Sequence, residues 1–220
     1  MAPTAFRRRI NGLVALFRDP FADDWTDAER DVLAEIAAQL GIAHAQLDHI
    51  EALDRQASTD ALTGLLNRRR FVSELEARIA ACKRSGVPGA LIYVDLDNFK
   101  AVNDILGHQA GDTALKQVAR TLRKATRIND LVARLGGDEF ALWLDGADQA
   151  IATGRAERLR QDAPVALAHV GAGPDLPLSI SIGIAVRQPG SAERLRDLLI
   201  RADQAMYDVK RAGRAGWLVG

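Results

Sequence analysis

Two places in the chain carry acidic residues of the type and spacing that suit divalent-cation chemistry. Asp95 and Asp97 close an apolar run, Ala90 to Val94, and Asp138 and Glu139 follow the double glycine Gly136-Gly137. A carboxylate at the end of a buried strand is held rigidly, which suits magnesium, an ion that takes oxygen ligands in near-octahedral geometry. Taken alone, Asp97 is more often the N-cap of the next helix, and Asp95 could be one too. The double glycine permits backbone torsions and close approaches that a side chain would block, so a nucleotide can lie against the turn with Asp138 and Glu139 beside it. Three carboxylates drawn from two strand ends could then hold two divalent ions.

The elements that must position these acids are legible from hydrophobic period and punctuation. A helix is expected from about Arg68 to Arg84, closed by Gly86 and Pro88, followed by the strand Ala90 to Val94. Helices follow over Asn98 to Leu106 and Ala110 to Thr126, split by Gly107. The runs 131–135 and 140–144 flank the double glycine and read as a tight hairpin. A helix near Ala147 to Gln161, an alternating strand Leu178 to Val186 and an amphipathic helix Ala192 to Ala212 complete the pattern. Helices covering an apolar sheet that contains a hairpin predict an α/β (α+β) domain with a mostly antiparallel sheet.

Ahead of this domain, residues 1–57 read as a helical segment. Phe6, Ile10, Leu13, Val14 and Phe17 recur at helical spacing until Asp19-Pro20, predicting a short amphipathic helix. Its arginines Arg7-Arg8-Arg9 fit a solvated face better than a membrane contact. Thr26 and Glu29 form a capping box that opens a second helix. Its apolar positions Leu33, Ile36, Leu40, Ala43, Leu47 and Ile50 step alternately by three and four, a heptad seam that predicts pairing between two chains over packing on the first helix. The boundary between segment and domain is expected near Ser58.

Composition narrows the classes. Lys plus Arg and Asp plus Glu number 29 each, so there is no global basic field for nucleic acid or an anionic membrane. The lone Cys82 cannot form an internal disulfide, which fits a reducing cytoplasm. No apolar run approaches the length needed to span a bilayer.

The segment Arg134-Leu135-Gly136-Gly137-Asp138-Glu139-Phe140 resembles the signature that names the GGDEF family of diguanylate cyclases. The family's other motifs appear in order: Asp60 to Arg69, Asp95 to Lys100, Asn103-Asp104, Gly107-His108, Gly111-Asp112, Ser181-Ile182-Gly183, and Ala202-Asp203-Gln204-Ala205-Met206-Tyr207 through Lys210 and Arg214. The likeness covers residues 58–218 and implies a palm-like nucleotidyl-cyclase domain that joins two GTP molecules into cyclic di-GMP. It implies that Asp95, the Leu96 carbonyl and Asp138 hold magnesium, two ions per GTP half-site with manganese as an alternative. Glu139 would be a further ligand or the group that helps deprotonate the attacking hydroxyl. By the same likeness Asn103 and Asp112 read the guanine edge with His108 nearby, Gly136 and Gly137 lie against GTP, and Lys100, Lys210 and Arg214 meet the triphosphate. A carboxylate suits guanine because N1–H and N2–H are donors, where adenine presents mismatched groups.

Such a domain resembles half an active site, so a homodimer is implied, and the heptad helix is a natural means of making one. Arg127 and Asp130 reproduce the family's Arg-x-x-Asp site for inhibitory cyclic di-GMP, with Arg158 aligned to a second arginine of that site. Ala215 departs from the asparagine usual after the Gly-Arg pair. Two other readings compete: a binding module that senses nucleotide without turnover, which the intact acids disfavour, and a cyclase of relaxed base choice, which Asp112 disfavours.

Overall fold

The computed structural model describes residues 2–6, 9–17, 24–56, 58–170 and 177–220. The chain divides into two compact units, Met1–Ala57 and Ser58–Gly220. No helix among the described residues is long and apolar enough to cross a membrane.

The first unit corrects one expectation. In place of the expected amphipathic helix, strands β1 (Ala2–Phe6) and β2 (Arg9–Val14) pair antiparallel as a hairpin. Contacts remote in sequence outweigh the helical spacing. Thr4 is buried and its hydroxyl donates to Asn11 Oδ1 at 3.0 Å, while Asn11 Nδ2 donates to the Gly41 carbonyl at 2.8 Å on helix α1 (Asp27–Gln56). Gly12 also counts against a helix, where glycine is about 1 kcal/mol worse than alanine. Arg7, Arg8, Asp19 and Pro20 lie outside the described residues.

Helix α1 opens as its sequence requires. The Thr26 N–H donates to Glu29 Oε2 at 2.8 Å, and the Glu29 N–H returns to Thr26 Oγ1 at 3.3 Å, a reciprocal capping box. Its covered face is Leu33, Ala37 and Gly41, at steps of four. A Cβ on Gly41 would strike the backbone of Ala5, so glycine is what lets the hairpin lie against the helix. The expected seam therefore stays open beyond Leu33: Ile36, Leu40, Leu47 and Ile50 are 45, 40, 58 and 61% exposed.

The second unit is a six-stranded sheet in the order β3-β5-β6-β4-β7-β8. Its strands are β3 (Leu66–Asn67), β4 (Gly89–Leu96), β5 (Leu131–Gly136), β6 (Glu139–Asp145), β7 (Ile180–Arg187) and β8 (Trp217–Val219). The four central strands β5, β6, β4 and β7 are antiparallel, and the short edges β3 and β8 pair parallel to their neighbours. The mostly antiparallel sheet covered by helices is the architecture expected from sequence.

Helices α2 (Arg68–Ser85), α3 (Phe99–Leu106), α4 (His108–Lys124), α5 (Gln149–Leu167) and α6 (Leu195–Arg211) cover both faces. Alternate residues of β4 feed two cores. Ala90, Ile92 and Val94 pack with α4 and α5, and Leu91 packs with Phe71, Leu75 and Trp143 beneath α2 and α6. A strand buried on both faces reads as a continuous apolar run, which is why β4 shows no alternation. Truncating Phe71 or Leu75 to alanine would cost roughly 2–5 kcal/mol. Gly183 admits α6 against β7, since a Cβ there would overlap the α6 backbone at Ala202 and Met206. Helix α5 runs through Pro164 to Leu167, beyond the end expected at Gln161.

Candidate active site

Strand register assembles the acids. Asp95 stands directly across from Glu139 on β6 and Ser181 on β7, so Asp95 and Glu139 share a face of the sheet. The Leu96 N–H donates to the Asp138 carbonyl at 3.2 Å, tying the glycine turn to the end of β4. Gly137 has φ of 51°, the left-handed region that favours glycine. Arg134 Nε and Nη2 donate to the Gly137 carbonyl at 3.0 and 2.8 Å, and Nη1 donates to Asp60 Oδ2 at 3.2 Å.

Asp95, Leu96, Lys100, Asp138, Lys210 and Arg214 line one cleft of about 390 Å³. Lys210 Nζ lies 2.7 Å from Asp95 Oδ2, whose side chain is 6% exposed. Burial pushes the Asp95 carboxyl up to about 6; the hydrogen bond and charge of Lys210 pull it down, while the charges of Asp138 and Asp97 push it higher. The chemistry of the lining fits a hard divalent cation: the carboxyl-bearing Asp95 and Asp138 share the cleft with the strand-end residue Leu96, and the buried Asp95 already draws an ammonium. Glu139 does not line this cleft, and no cluster of three or more His, Cys, Asp or Glu side chains stands at ligating distance among the described residues.

The residues expected to read guanine lie on α3 and the start of α4. Asn103 sits on that helix, and His108 and Asp112 are exposed on the first turns of α4, with Gly107 at φ 82° between the helices. A Cβ on the buried Gly111 would overlap Asn103 Oδ1, so this glycine makes room for the amide. Asn103, His108 and Asp112 are not part of the lining of the acidic cleft.

Arg127 and Asp130 line a second cavity of about 560 Å³, together with Arg123 and Ile128. Asp130 Oδ2 accepts the Arg127 backbone N–H at 2.8 Å and Oδ1 accepts the Asp145 N–H at 3.3 Å. Arg158, on α5, is ion-paired with Asp162 at 3.4 Å and is not part of that lining.

Three features escaped sequence reasoning. Asp97 does not cap α3, a role taken by the backbone of Asn98; its carboxylate turns to other elements. Arg134 and Asp60 lie in motifs with no assigned task, and they brace the glycine turn. The only available signals were the Asp-x-Asp spacing and the arginine preceding the double glycine.

Helices on both faces of a mostly antiparallel sheet, with acids on adjacent central strand ends, define the class as an α/β domain with an acidic cleft at its strand ends. Residues 57–216 match the family described as diguanylate cyclase, GGDEF domain, and the chain belongs to that family. It is 36% identical over 213 residues to the diguanylate cyclase DgcP of Pseudomonas aeruginosa, covering 94% of this chain and 31% of DgcP. The chain spans less than half the length of the curated relatives it matches. Among solved structures, the GGDEF domain of DgcB from Caulobacter crescentus in complex with c-di-GMP aligns with TM-score 0.65 and 31% identity, covering 74% of this chain and 95% of that one. The coiled coil and GGDEF domain of the same protein, also with c-di-GMP, aligns with TM-score 0.66 and 29% identity, covering 86% of this chain and all (100%) of that one.

Proposed function

We propose that this chain is a cytoplasmic diguanylate cyclase that condenses two GTP molecules into cyclic di-GMP with release of two pyrophosphates. The observation that carries the reading is the convergence of Asp95 and Asp138 with Lys100, Lys210 and Arg214 in one cleft. Magnesium or manganese held by Asp95, the Leu96 carbonyl and Asp138, two ions per half-site, would neutralise charge on the α-phosphate and acidify the attacking hydroxyl when bound.

The residues divide the remaining work. Lys100, Lys210 and Arg214 bind the triphosphate. Asn103 and Asp112 accept the guanine N–H donors, with His108 beside them and Gly136 and Gly137 leaving room for the nucleotide. The 3′-oxygen of one GTP attacks the α-phosphorus of the other, the bond to the β-phosphate bridging oxygen breaks, and pyrophosphate leaves. Glu139 takes the proton of the 3′-hydroxyl, and positioning two substrates in line supplies much of the rate.

Each domain holds one GTP, so turnover needs two copies. The open seam of α1 supports pairing of two chains through Ile36, Leu40, Ala43, Leu47 and Ile50, with each hairpin on the neighbouring face. The cavity at Arg127 and Asp130 supports binding of cyclic di-GMP as an inhibitor, with Arg158 as an outlying contributor.

Purified protein incubated with GTP and magnesium, with products separated by mass beside a Glu139→Gln control, tests the reading. Cyclic di-GMP from the wild type alone supports it. A dimeric, product-free protein that binds GTP without turning it over overturns the cyclase in favour of a receptor.

A further inference from the structure

Asp97 is as buried as the core, 2% exposed, yet its carboxylate meets neither lysine nor arginine among the hydrogen bonds of the described residues. It accepts three neutral donors from two directions: Ser181 Oγ on Oδ1 at 2.7 Å, and Ser179 Oγ at 2.7 Å with the Ala215 N–H at 3.2 Å on Oδ2. Its own N–H donates to the Ser179 carbonyl at 2.9 Å. Both oxygens are thus committed to neutral donors of the protein, whereas Asp95, two residues earlier, pairs with the ammonium of Lys210.

The Ala215 end of this clamp is the informative one. Gly213, Arg214 and Ala215 have φ of 119, 66 and 51°, three successive residues in a backbone region that side chains other than glycine and asparagine resist. Arg214 and Ala215 carry that strain in the segment leaving α6, and Arg214 lines the acidic cleft. Two backbone bonds flank the segment, Arg214 N–H to the Val209 carbonyl and Ile182 N–H to the Gly216 carbonyl, each at 3.0 Å. The only side chain hydrogen-bonded to it among the described residues is that of Asp97.

We propose that Asp97 is a positioning residue for phosphate binding: it pins the strained turn at Ala215 to the end of β4 and so fixes Arg214 in the cleft. Ser179 and Ser181 orient the carboxylate, which gives the Ser181-Ile182-Gly183 segment a task beyond packing. The inference rests on the reading of the cleft as the GTP site.

The test is a double-mutant cycle on the full chain, scored as the KM for GTP at saturating magnesium. Asp97→Ala and Arg214→Ala should each raise KM by about tenfold, and the pair together should be no worse than Arg214→Ala, because coupled residues are non-additive. Asp97→Asn should stay within about threefold of wild type, since an amide oxygen still accepts from Ala215 and its NH₂ can donate to a reoriented Ser181 hydroxyl. Should the alanine chain fail to fold, Asp97→Ser, which keeps a polar group too short to reach Ala215, enters the same cycle. Additive KM effects overturn the proposal, and so does an asparagine variant as impaired as alanine with its loss in kcat, the behaviour of a metal ligand. A wild type that neither binds nor turns over GTP would instead sink the reading of the cleft itself.

Discussion

Arg134 bridges Asp60 and the glycine turn: one guanidinium nitrogen lies 3.2 Å from the Asp60 carboxylate while two others hold the carbonyl of Gly137. The glycine turn is thereby braced from the segment that opens the domain. Burial alone would raise the Asp60 carboxyl, but the hydroxyl and backbone N–H of Thr63 together with Arg134 hold it below its ordinary value. A depressed folded-state pKa gives stability that is present above the unfolded value near 4 and is lost as pH falls through the folded one. Asp60→Asn should therefore lower stability at pH 7 by about 1 kcal/mol, with the gap to wild type closing below about pH 4. Urea denaturation across that range checks it.

Asp95 has the opposite sign. Its folded pKa, near 6, lies above the unfolded value, so the metal-free fold binds this proton more tightly and wild-type stability from this group rises as pH falls from 7 toward 4. Asp95→Asn should stabilise the metal-free protein by about 1–2 kcal/mol at pH 7, lose that advantage toward pH 4, and abolish turnover. Thermal melts in chelator, paired with product assays in magnesium, read both effects.

Gly111→Ala places a methyl group where the Asn103 amide sits. The KM for GTP should rise by about tenfold with a smaller change in kcat, and preference for GTP over ATP should fall. Competition assays with mixed nucleotides measure the selectivity.

The exposed seam of α1 predicts a dimer sensitive to charge. Leu40→Glu combined with Leu47→Glu should shift the full chain to monomer in sedimentation and reduce activity by at least about tenfold at low protein concentration, because like charges on a heptad core oppose pairing. Activity should recover as concentration rises.

Arg127→Ala should weaken retention of cyclic di-GMP by at least about tenfold, the loss of a charged hydrogen-bonding partner, while the KM for GTP stays the same. Calorimetric titration of product into the variant, alongside initial rates, separates the two sites.

Local physics made much of the second unit legible in one dimension. Apolar runs announced β4, β6 and β7, the double glycine announced the hairpin, Thr26 and Glu29 announced the start of α1, and acids following apolar strands marked the chemistry. The strand, hairpin and, in the first unit, capping signals depend on neighbours within a few residues, so the amino-acid order determines them.

What lay in partners distant along the chain was decided by the tertiary structure. The spacing of Phe6 to Phe17 favours a helix, but the bonds from Asn11 to Gly41 and the bare backbone at Gly41 reward a hairpin instead. Asp97 looked like a cap until Ser179, Ser181 and Ala215, the last of them 118 residues away, claimed its carboxylate. Register alone set Asp95 across from Glu139 while leaving Glu139 outside the cleft that Asp138 joins. Sequence fixes which groups are present and how each local segment prefers to fold, but a buried carboxylate acquires its role from whichever donors the packed chain brings to it.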